Sequence, residues 1–188
     1  MGTKPQATGA LCAGVIGLVL LGLSGCGSSS DSKPAATAGK EACATMSVLT
    51  DAAELQRFRD GSVQGPDDLV YRVEVVDAKI LCDKAVDGQV AAEAGISLYV
   101  RRGPAGKALT EVTIPYFVAL TETNTQVISR AVYTTTVALP KDKNSGGVVE
   151  HLSLTIPLNG KSPYSFEVVT GIQLSAAELA AERKRLGR

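Results

Sequence analysis

The stretch QVAAEAGISLYVR, residues 89–101, alternates apolar and polar side chains over its whole length. Its apolar members are Val90, Ala92, Ala94, Ile96, Leu98 and Val100. Successive side chains of a β-strand point to opposite faces of a sheet, so the pattern predicts a strand with one face in a core and one in solvent. Residues 70–82 alternate similarly, and Asp87-Gly88 is a turn signal, so we expect these two segments to form a β-hairpin.

The alternation in residues 70–82 changes phase once. Every second side chain from Tyr71 to Val75 lies on one face, and every second side chain from Val76 to Cys82 lies on the other. One extra residue in a strand of an antiparallel pair produces such a shift. The sequence therefore predicts a β-bulge at Val75-Val76.

Further segments have the alternation or the β-branched composition of strands: residues 43–49, 112–120, 126–139, 148–156 and 164–174. Pro115 lies inside one of them and has no N–H to donate to a ladder. We therefore expect the strand with Pro115 to be an edge strand or to be bulged there.

Two segments carry helical signals instead. Residues 52–58, which contain AELQRF, suggest one helical turn. Ser175-Ala176-Ala177-Glu178 matches the S-x-x-E capping box, and good helix formers follow it. The sequence predicts a terminal helix over about residues 176–186.

The order of these elements indicates an all-β fold. About seven short strands follow one another with turn signals between them, without the strand–helix alternation of a parallel sheet. We expect an antiparallel immunoglobulin-like or fibronectin-like β-sandwich with a short C-terminal helix, although the chain lacks the Trp that marks immunoglobulin domains. A β-barrel is the alternative.

The N-terminus has a different character. Residues 1–8 are polar with one charge at Lys4, and residues 9–23 are uncharged and mostly apolar, which is typical of an export signal. A membrane-spanning helix needs about 20 apolar residues. The run is shorter than that, so a transmembrane helix is the weaker alternative.

Leu23-Ser24-Gly25-Cys26, at the end of the apolar run, resembles the lipobox of bacterial prolipoproteins. The resemblance implies a diacylglycerol on the Cys26 sulfur and cleavage before Cys26. A plain signal peptide with an incidental cysteine is the alternative. Residues 1–25 would be the signal peptide, residues 26–42 a lipidated flexible tether, and residues 43–188 the β-sandwich domain.

Four further segments are similar to a family of uncharacterised proteobacterial lipoproteins. They are AELQRFRDG (residues 53–61), RRGPA (101–105), IPYFVAL (114–120) and GIQLSAAEL (171–179). This resemblance implies a location in the cell envelope and no particular activity. We expect the protein to be anchored in the membrane through its lipid and to face the periplasm. The outer membrane is favoured, because Gly27 stands where an inner-membrane retention signal has Asp.

The cysteines fit that compartment. Cys43 and Cys82 remain after Cys12 leaves with the signal and Cys26 takes the lipid. An even pair in an oxidising compartment predicts a disulfide between Cys43 and Cys82, with two buried free thiols as the alternative. Two sulfurs and one distant histidine are too few for a zinc site.

Charge and polar residues give little sign of chemistry. Loss of residues 1–25 removes one Lys and no acid, which leaves 18 basic against 19 acidic residues, a net charge of −1. Nucleic-acid binding needs a basic surface and is not expected. The single histidine, His151, should face solvent on its strand, with no G-x-S-x-G to supply a nucleophile. We expect no catalytic residues, no cofactor and no metal site.

Tyr116-Phe117 is the candidate interaction site. The two rings point to opposite faces of one strand, so one of them should face outward or toward the helix, beside the break at Pro115. The sequence thus favours a non-enzymatic interaction module in cell-envelope assembly or maintenance, with an unidentified envelope protein as partner. The alternative is a carrier that holds a lipid or a small solute between its sheets.

Overall fold

The fold is described from a computed structural model over residues 42–61, 64–123 and 126–188. The predicted signal peptide, the lipobox-like segment with Cys26 and the expected tether up to residue 41 lie outside the described residues. Within the described ranges, no helix is both long enough and apolar enough to cross a membrane.

Eight strands and one α-helix make up the described part of the chain. The strands are β1 (Thr45–Val48), β2 (Glu54–Phe58), β3 (Leu69–Cys82), β4 (Gln89–Arg102), β5 (Glu111–Glu122), β6 (Gln126–Ala138), β7 (Ser145–Pro157) and β8 (Phe166–Ile172). The helix is α1 (Ala176–Arg185). The first sheet has the order β1-β8-β5-β6 and the second the order β2-β3-β4-β7. All neighbours are antiparallel except β1 and β8, which are parallel.

The hairpin that the sequence predicts is confirmed. β3 and β4 pair antiparallel along their length, from Tyr71 opposite Arg102 to Cys82 opposite Ala92. The register shifts between Val75 and Asp77, so the predicted bulge is confirmed as well. The alternate side chains of β4, from Val90 to Val100, are all buried.

One core lies between the two sheets. Its buried side chains come from the first sheet, for example Tyr116 and Phe166, and from the second, for example Ile96 and Leu98. The arrangement is therefore β-sandwich-like. In the part of the chain that is described, the sheets do not join through a shared ladder, so they do not close into a barrel.

The segment AELQRF is a strand and not a helical turn, so that prediction is wrong. It forms β2, with a 3₁₀ turn at Thr50–Ala52 before it. Leu55 lies opposite Val73 of β3, and both side chains are in the core. Pairing with β3 places Leu55 in the core, and this tertiary contact overrides the local helix propensity of the segment.

The prediction of an edge strand at Pro115 is also wrong, because β5 lies between β8 and β6. Its ladder with β8 runs from Tyr116 to Glu122, and its register shift lies at Leu120/Thr121. Pro115 is tolerated because the β8 ladder ends beside it. The Pro115 carbonyl still accepts a hydrogen bond from the Gln173 N–H at 2.8 Å, and the missing proline N–H falls beyond Ile172.

The predicted disulfide is present. Cys43 and Cys82 are bonded, with their Cα atoms 5.4 Å apart. Cys43 precedes β1 of the first sheet, and Cys82 ends β3 of the second. The bond therefore links the two sheets at the point where the chain enters the domain.

The terminal helix begins with the predicted capping box. The Ser175 hydroxyl accepts from the Glu178 N–H, and the Glu178 carboxylate accepts from the Ser175 N–H at 2.8 Å. At the other end of the helix, Arg183 and Arg188 both reach Asp51, at 2.8 and 2.6 Å. The helix is thus tied to the 3₁₀ turn between β1 and β2.

Candidate interaction site

The most open element of the domain is β6. It ends the first sheet, and in the described residues it pairs with β5 alone. The seven side chains from Gln126 to Val132 are all exposed. Three of them are large and apolar: Val127 is 59% exposed, Ile128 37% and Val132 50%.

The pairing of β6 with β5 shows which backbone groups face outward. The Leu139 N–H donates to the Thr110 carbonyl at 2.7 Å, so residue 139 points toward β5. Backbone groups of an antiparallel strand point alternately to its two sides. Residues 137, 135, 133 and 131 therefore bond to β5, and the even-numbered residues from 130 to 136 present their N–H and C=O groups to the free side. The bulge opposite Leu120/Thr121 interrupts this alternation at Ile128.

β6 has one of the usual protections of an edge strand, a bulge opposite Leu120/Thr121, and lacks the others. Native edge strands are shielded by proline, by several charges, by bulges or by a covering helix. β6 is 13 residues long, contains neither glycine nor proline, and carries a single charge, at Arg130. The sequence itself shows that this segment is β-branched and carries little charge, but it does not show that the strand lies at an edge.

The single charge of β6 is directed away from the edge. The Arg130 guanidinium lies over the Phe117 ring, 4.7 Å from its centroid, and donates a hydrogen bond to the Gln173 side chain. A cation over an aromatic face is held by the ring quadrupole. The free edge of β6 is therefore uncharged along its length.

The other edge strands are short, covered or interrupted. β1 has four residues. β2 faces α1, and ion pairs join them: Arg57 to Glu178 at 2.6 Å and Arg185 to Glu54 at 3.4 Å. β7 begins with Ser-Gly-Gly, ends at a proline, and carries Glu150 and His151. Of the four edges in the described structure, the edge of β6 is the most accessible.

The candidate site at Tyr116-Phe117 is corrected by the structure. Tyr116 is 1% exposed and Phe117 8% exposed, so neither ring is available to a partner. Tyr116 lies in the core, stacked on Tyr133 with ring centroids 5.5 Å apart. Phe117 lies on the outer face but is covered by Ala52 and by Arg130. Ala52 belongs to the 3₁₀ turn after β1, and Arg130 reaches over from β6, a cover that strand alternation alone does not predict.

A cleft of about 250 Å³ opens between β6 and β7. Its floor is apolar and is formed by core side chains: Val118, Leu120, Leu154, Ile156 and Val168. Ser129, Ala131 and Tyr133 of β6 form one wall. We call this space the β6–β7 cleft.

Glu150 makes a polar contact near the cleft, through Tyr116, which stacks on the cleft residue Tyr133. It lies on the inner row of β7, where its carboxylate accepts hydrogen bonds from the Thr135 hydroxyl at 2.7 Å and from the Tyr116 hydroxyl at 3.2 Å. Burial, followed by the adjacent Glu150 carboxylate, raises the pKa of Tyr116 well above its usual value. The two sheets are therefore joined on this side by a polar bridge.

A second groove, of about 460 Å³, lies between β2 and α1. Its two buried carboxylates already have arginine partners: Glu54 contacts Arg72 at 2.6 Å, and Glu182 contacts Arg185 at 2.5 Å. A buried ion pair loses much of its energy when one partner is taken away. In this groove, the ion pair between Arg185 and Glu54 joins α1 to the second sheet.

The remaining polar residues that were candidates for a functional site have surroundings that suit a structural role. His151 is exposed on its strand, as the sequence predicts. Arg102 donates to four backbone carbonyls, including those of Leu109 and Leu139, both at 2.8 Å. Within the residues described, no three His, Cys, Asp or Glu side chains come together as a metal-binding group.

Comparison of the chain with protein-family models, with curated proteins and with solved structures finds no match.

Proposed function

We propose that this protein is a lipid-anchored lipoprotein of the bacterial cell envelope, with a non-enzymatic interaction module as its folded domain. The module faces the periplasm, and we favour the outer membrane over the inner membrane as its anchor. It serves envelope assembly or maintenance. The observation that carries the proposal is the accessible edge of β6, with Val127, Ile128 and Val132 exposed on it. An open strand edge offers main-chain hydrogen bonds to a partner, and apolar side chains on it add affinity.

The test is site-specific crosslinking in intact cells, with a photoreactive residue at position 132. Position 149 is the matched control, because Val149 is 53% exposed and lies on the other edge strand, β7. We expect a crosslinked product from position 132 and none from position 149. Equal products from both positions would contradict the proposal.

The lipid anchor rests on the lipobox resemblance. Two acyl chains give stable membrane attachment, at about 0.8 kcal/mol for each buried CH₂ group. We expect Cys26→Ala to abolish labelling by a fatty-acid probe and to move the protein from the membrane fraction to the soluble fraction. Cys12→Ala is the matched control and should change neither result. Continued labelling of the Cys26→Ala variant would contradict the anchor.

The β6–β7 cleft favours carriage of a lipid or small apolar solute as a second function. Its floor is formed by apolar core side chains, as in small-molecule sites, although its volume of about 250 Å³ is at the small end for such a site. Native mass spectrometry should then detect a bound molecule. Leu154→Trp should fill the cleft and release that molecule, whereas the same change at exposed Val149 should not.

We infer that the domain belongs with the immunoglobulin-like and fibronectin-like sandwiches in the broad sense. Support comes from the two four-stranded sheets around one core. The strand order differs from that of immunoglobulin constant domains, because three consecutive strands, β2 to β4, lie side by side in one sheet. Sandwiches share the architecture without always sharing the topology.

A further inference from the structure

We propose that the domain docks on a lipid bilayer with the end at which the chain enters it. The side chains of Leu81, Val86 and Tyr164 would enter the interfacial region of the lipids. This inference rests on the proposed lipid anchor and goes beyond it, because an anchor on a tether does not by itself bring the folded domain onto the membrane surface.

Two connections form this end of the domain. One is the tip of the β3–β4 hairpin, residues 83–88, and the other is the loop 158–165, which runs from β7 in the second sheet to β8 in the first. The Leu158 N–H donates to the Gly88 carbonyl at 2.8 Å, so the tip and the loop are adjacent. We call the two connections, together with Leu81 beside the tip, the entry end.

The chain enters the domain at the entry end. The disulfide holds Cys43 against Cys82, the last residue of β3, directly before the hairpin tip. Residues 27–42 separate Cys43 from the proposed lipid on Cys26, and a flexible chain of that length has a root-mean-square reach of about 20–25 Å. A lipid on Cys26 therefore keeps the entry end close to the bilayer.

The entry end carries the most exposed apolar side chains of the described residues. Leu81 is 76% exposed, Val86 65% and Tyr164 64%, and every other large apolar side chain described is less exposed than these three. Single apolar residues on a surface are ordinary, whereas an exposed group of them marks a contact with a partner or a membrane. The entry end is therefore a candidate contact surface.

The opposite end of the domain carries charges instead. Its loops join β2 to β3, β4 to β5 and β6 to β7. Exposed charged residues there include Arg59, Lys107 and Lys141, and the described residues of these loops contain no exposed large apolar side chain. This difference between the ends is the one expected of a domain with one end on lipid and the other in water.

The chemistry of the entry end fits the interface of a bilayer. Tyrosine is enriched at the level of the lipid headgroups. Lys84 and Lys161 are exposed at this end, and lysine can lay its apolar stem on lipid while its charge stays in water. A bilayer is favoured over a protein as the occupant, because the anchor keeps a bilayer near this end and raises its effective concentration there.

The charges indicate that the contact is apolar. The hairpin tip carries Asp83 and Asp87 against Lys84, and Lys161 is paired with Glu122 of β5. Attraction to anionic lipid needs an excess of basic residues, which this end lacks. We therefore expect docking on zwitterionic lipid that added salt does not weaken.

The test uses the absence of tryptophan from the chain, because a single introduced tryptophan then reports alone. The full-length lipidated protein is placed in phosphatidylcholine vesicles with brominated acyl chains, which quench a tryptophan that touches them. Val86→Trp and Tyr164→Trp should each give blue-shifted emission and quenching. The matched control, Val149→Trp, should give neither, because Val149 is 53% exposed but lies on β7, away from the entry end. Equal quenching at the three positions, or none at 86 and 164, would overturn the docking.

A charge variant supplies a second measurement. Val86→Asp, added to Tyr164→Trp, should reduce the quenching to the level of Val149→Trp, whereas Val149→Asp added to Tyr164→Trp should leave it unchanged. Thermal melts of both double variants show whether the fold is retained. Loss of the Tyr164→Trp quenching in high salt would overturn the apolar contact.

Flotation of the same vesicles separates this inference from the proposed anchor. Protein that floats with the vesicles but shows no quenching at positions 86 and 164 overturns the docking and leaves the anchor standing. Protein that does not float overturns both.

A photoreactive residue at position 86, in intact cells, distinguishes the occupants. Crosslinking to lipid supports the inference. Capture of a protein in place of lipid overturns the bilayer as the occupant and leaves the accessible edge of β6 to be tested at position 132.

Discussion

Glu150 has a role that its place in the sequence does not reveal. It follows Val149 in an alternating strand, on the inward side, where an apolar residue is expected. A half-buried carboxylate is tolerated when hydrogen bonds satisfy it. Thr135 and Tyr116 provide them from the first sheet, so Glu150 joins the two sheets.

The Tyr116 hydroxyl gives a prediction about alkaline stability. The pKa of Tyr116 is raised in the folded protein by burial and then by Glu150, whereas an unfolded tyrosine titrates near pH 10. The stability that the neutral hydroxyl contributes is therefore complete below about pH 10 and declines as the pH rises above it. We expect Tyr116→Phe to lower the free energy of unfolding by about 1 kcal/mol at neutral pH.

Thermal melts across about pH 8 to 11 measure this effect around the tyrosine pKa. Tyr116→Phe should show a smaller alkaline decline in Tm than the wild type. The control is Tyr164→Phe, because Tyr164 is 64% exposed and should leave the decline unchanged. Parallel pH curves for the wild type and Tyr116→Phe would refute the assignment.

Gly146 gives a second prediction at the scale of one residue. A Cβ at this position would lie 2.2 Å from the Ala138 carbonyl oxygen, where β7 passes against the end of β6. We expect Gly146→Ala to destabilise the domain by about 1–3 kcal/mol in urea unfolding, because the backbone must move. Gly95→Ala in β4 is the control, since its Cβ meets nothing within 4 Å. Equal stability of the two variants would argue against the close approach.

Among the elements, α1 is the one whose boundary the sequence predicts best. A capping box is a local motif, so the four residues from Ser175 to Glu178 contain all the information it needs. We expect Ser175→Ala to lower the free energy of unfolding by about 1 kcal/mol and to speed amide hydrogen exchange in the first turn of α1. Ser153→Ala, on an exposed strand position, should do neither. Unchanged exchange in α1 would contradict the cap.

Strand β2 shows where local reasoning stops. The six residues AELQRF, which include β2, favour a helix, but β3 offers an antiparallel partner and a core position for Leu55. Pro115 fails for a similar reason: its effect depends on where β8 ends, and β8 lies more than 50 residues later. The alternating strands β3, β4 and β7 are predicted well because their periodicity is local, and β6 is predicted from its β-branched composition.

The candidate site was predicted less well than the strands. The two rings of Tyr116-Phe117 indicate an interaction site in the sequence, but burial of a ring is decided by chain segments distant in sequence, such as Ala52 and Arg130. The open edge of β6 depends on sheet order, which periodicity does not contain. The disulfide was predictable because it follows from the number of cysteines and the expected compartment.

At the scale of the whole molecule, the disulfide is the one bond that contributes most to the stability of the fold. Closing the loop between Cys43 and Cys82, 39 residues apart, stabilises the fold by about 4 kcal/mol in the chain-entropy model. We expect the double variant Cys43→Ala/Cys82→Ala to lose most of that in urea unfolding, and the wild type to lose a similar amount in a reductant. No effect of reductant on the wild type would contradict the bond.

The position of that disulfide has a mechanical consequence. A pull on the chain ahead of Cys43 reaches β1 first, and β1 has only four residues, which would peel from β8 one hydrogen bond after another. The bond to Cys82 diverts the load into β3, a strand of 14 residues with neighbours on both sides. Tension applied ahead of Cys43 is thus shared between β1 and a long strand with neighbours on both sides, so that β1 does not carry it alone.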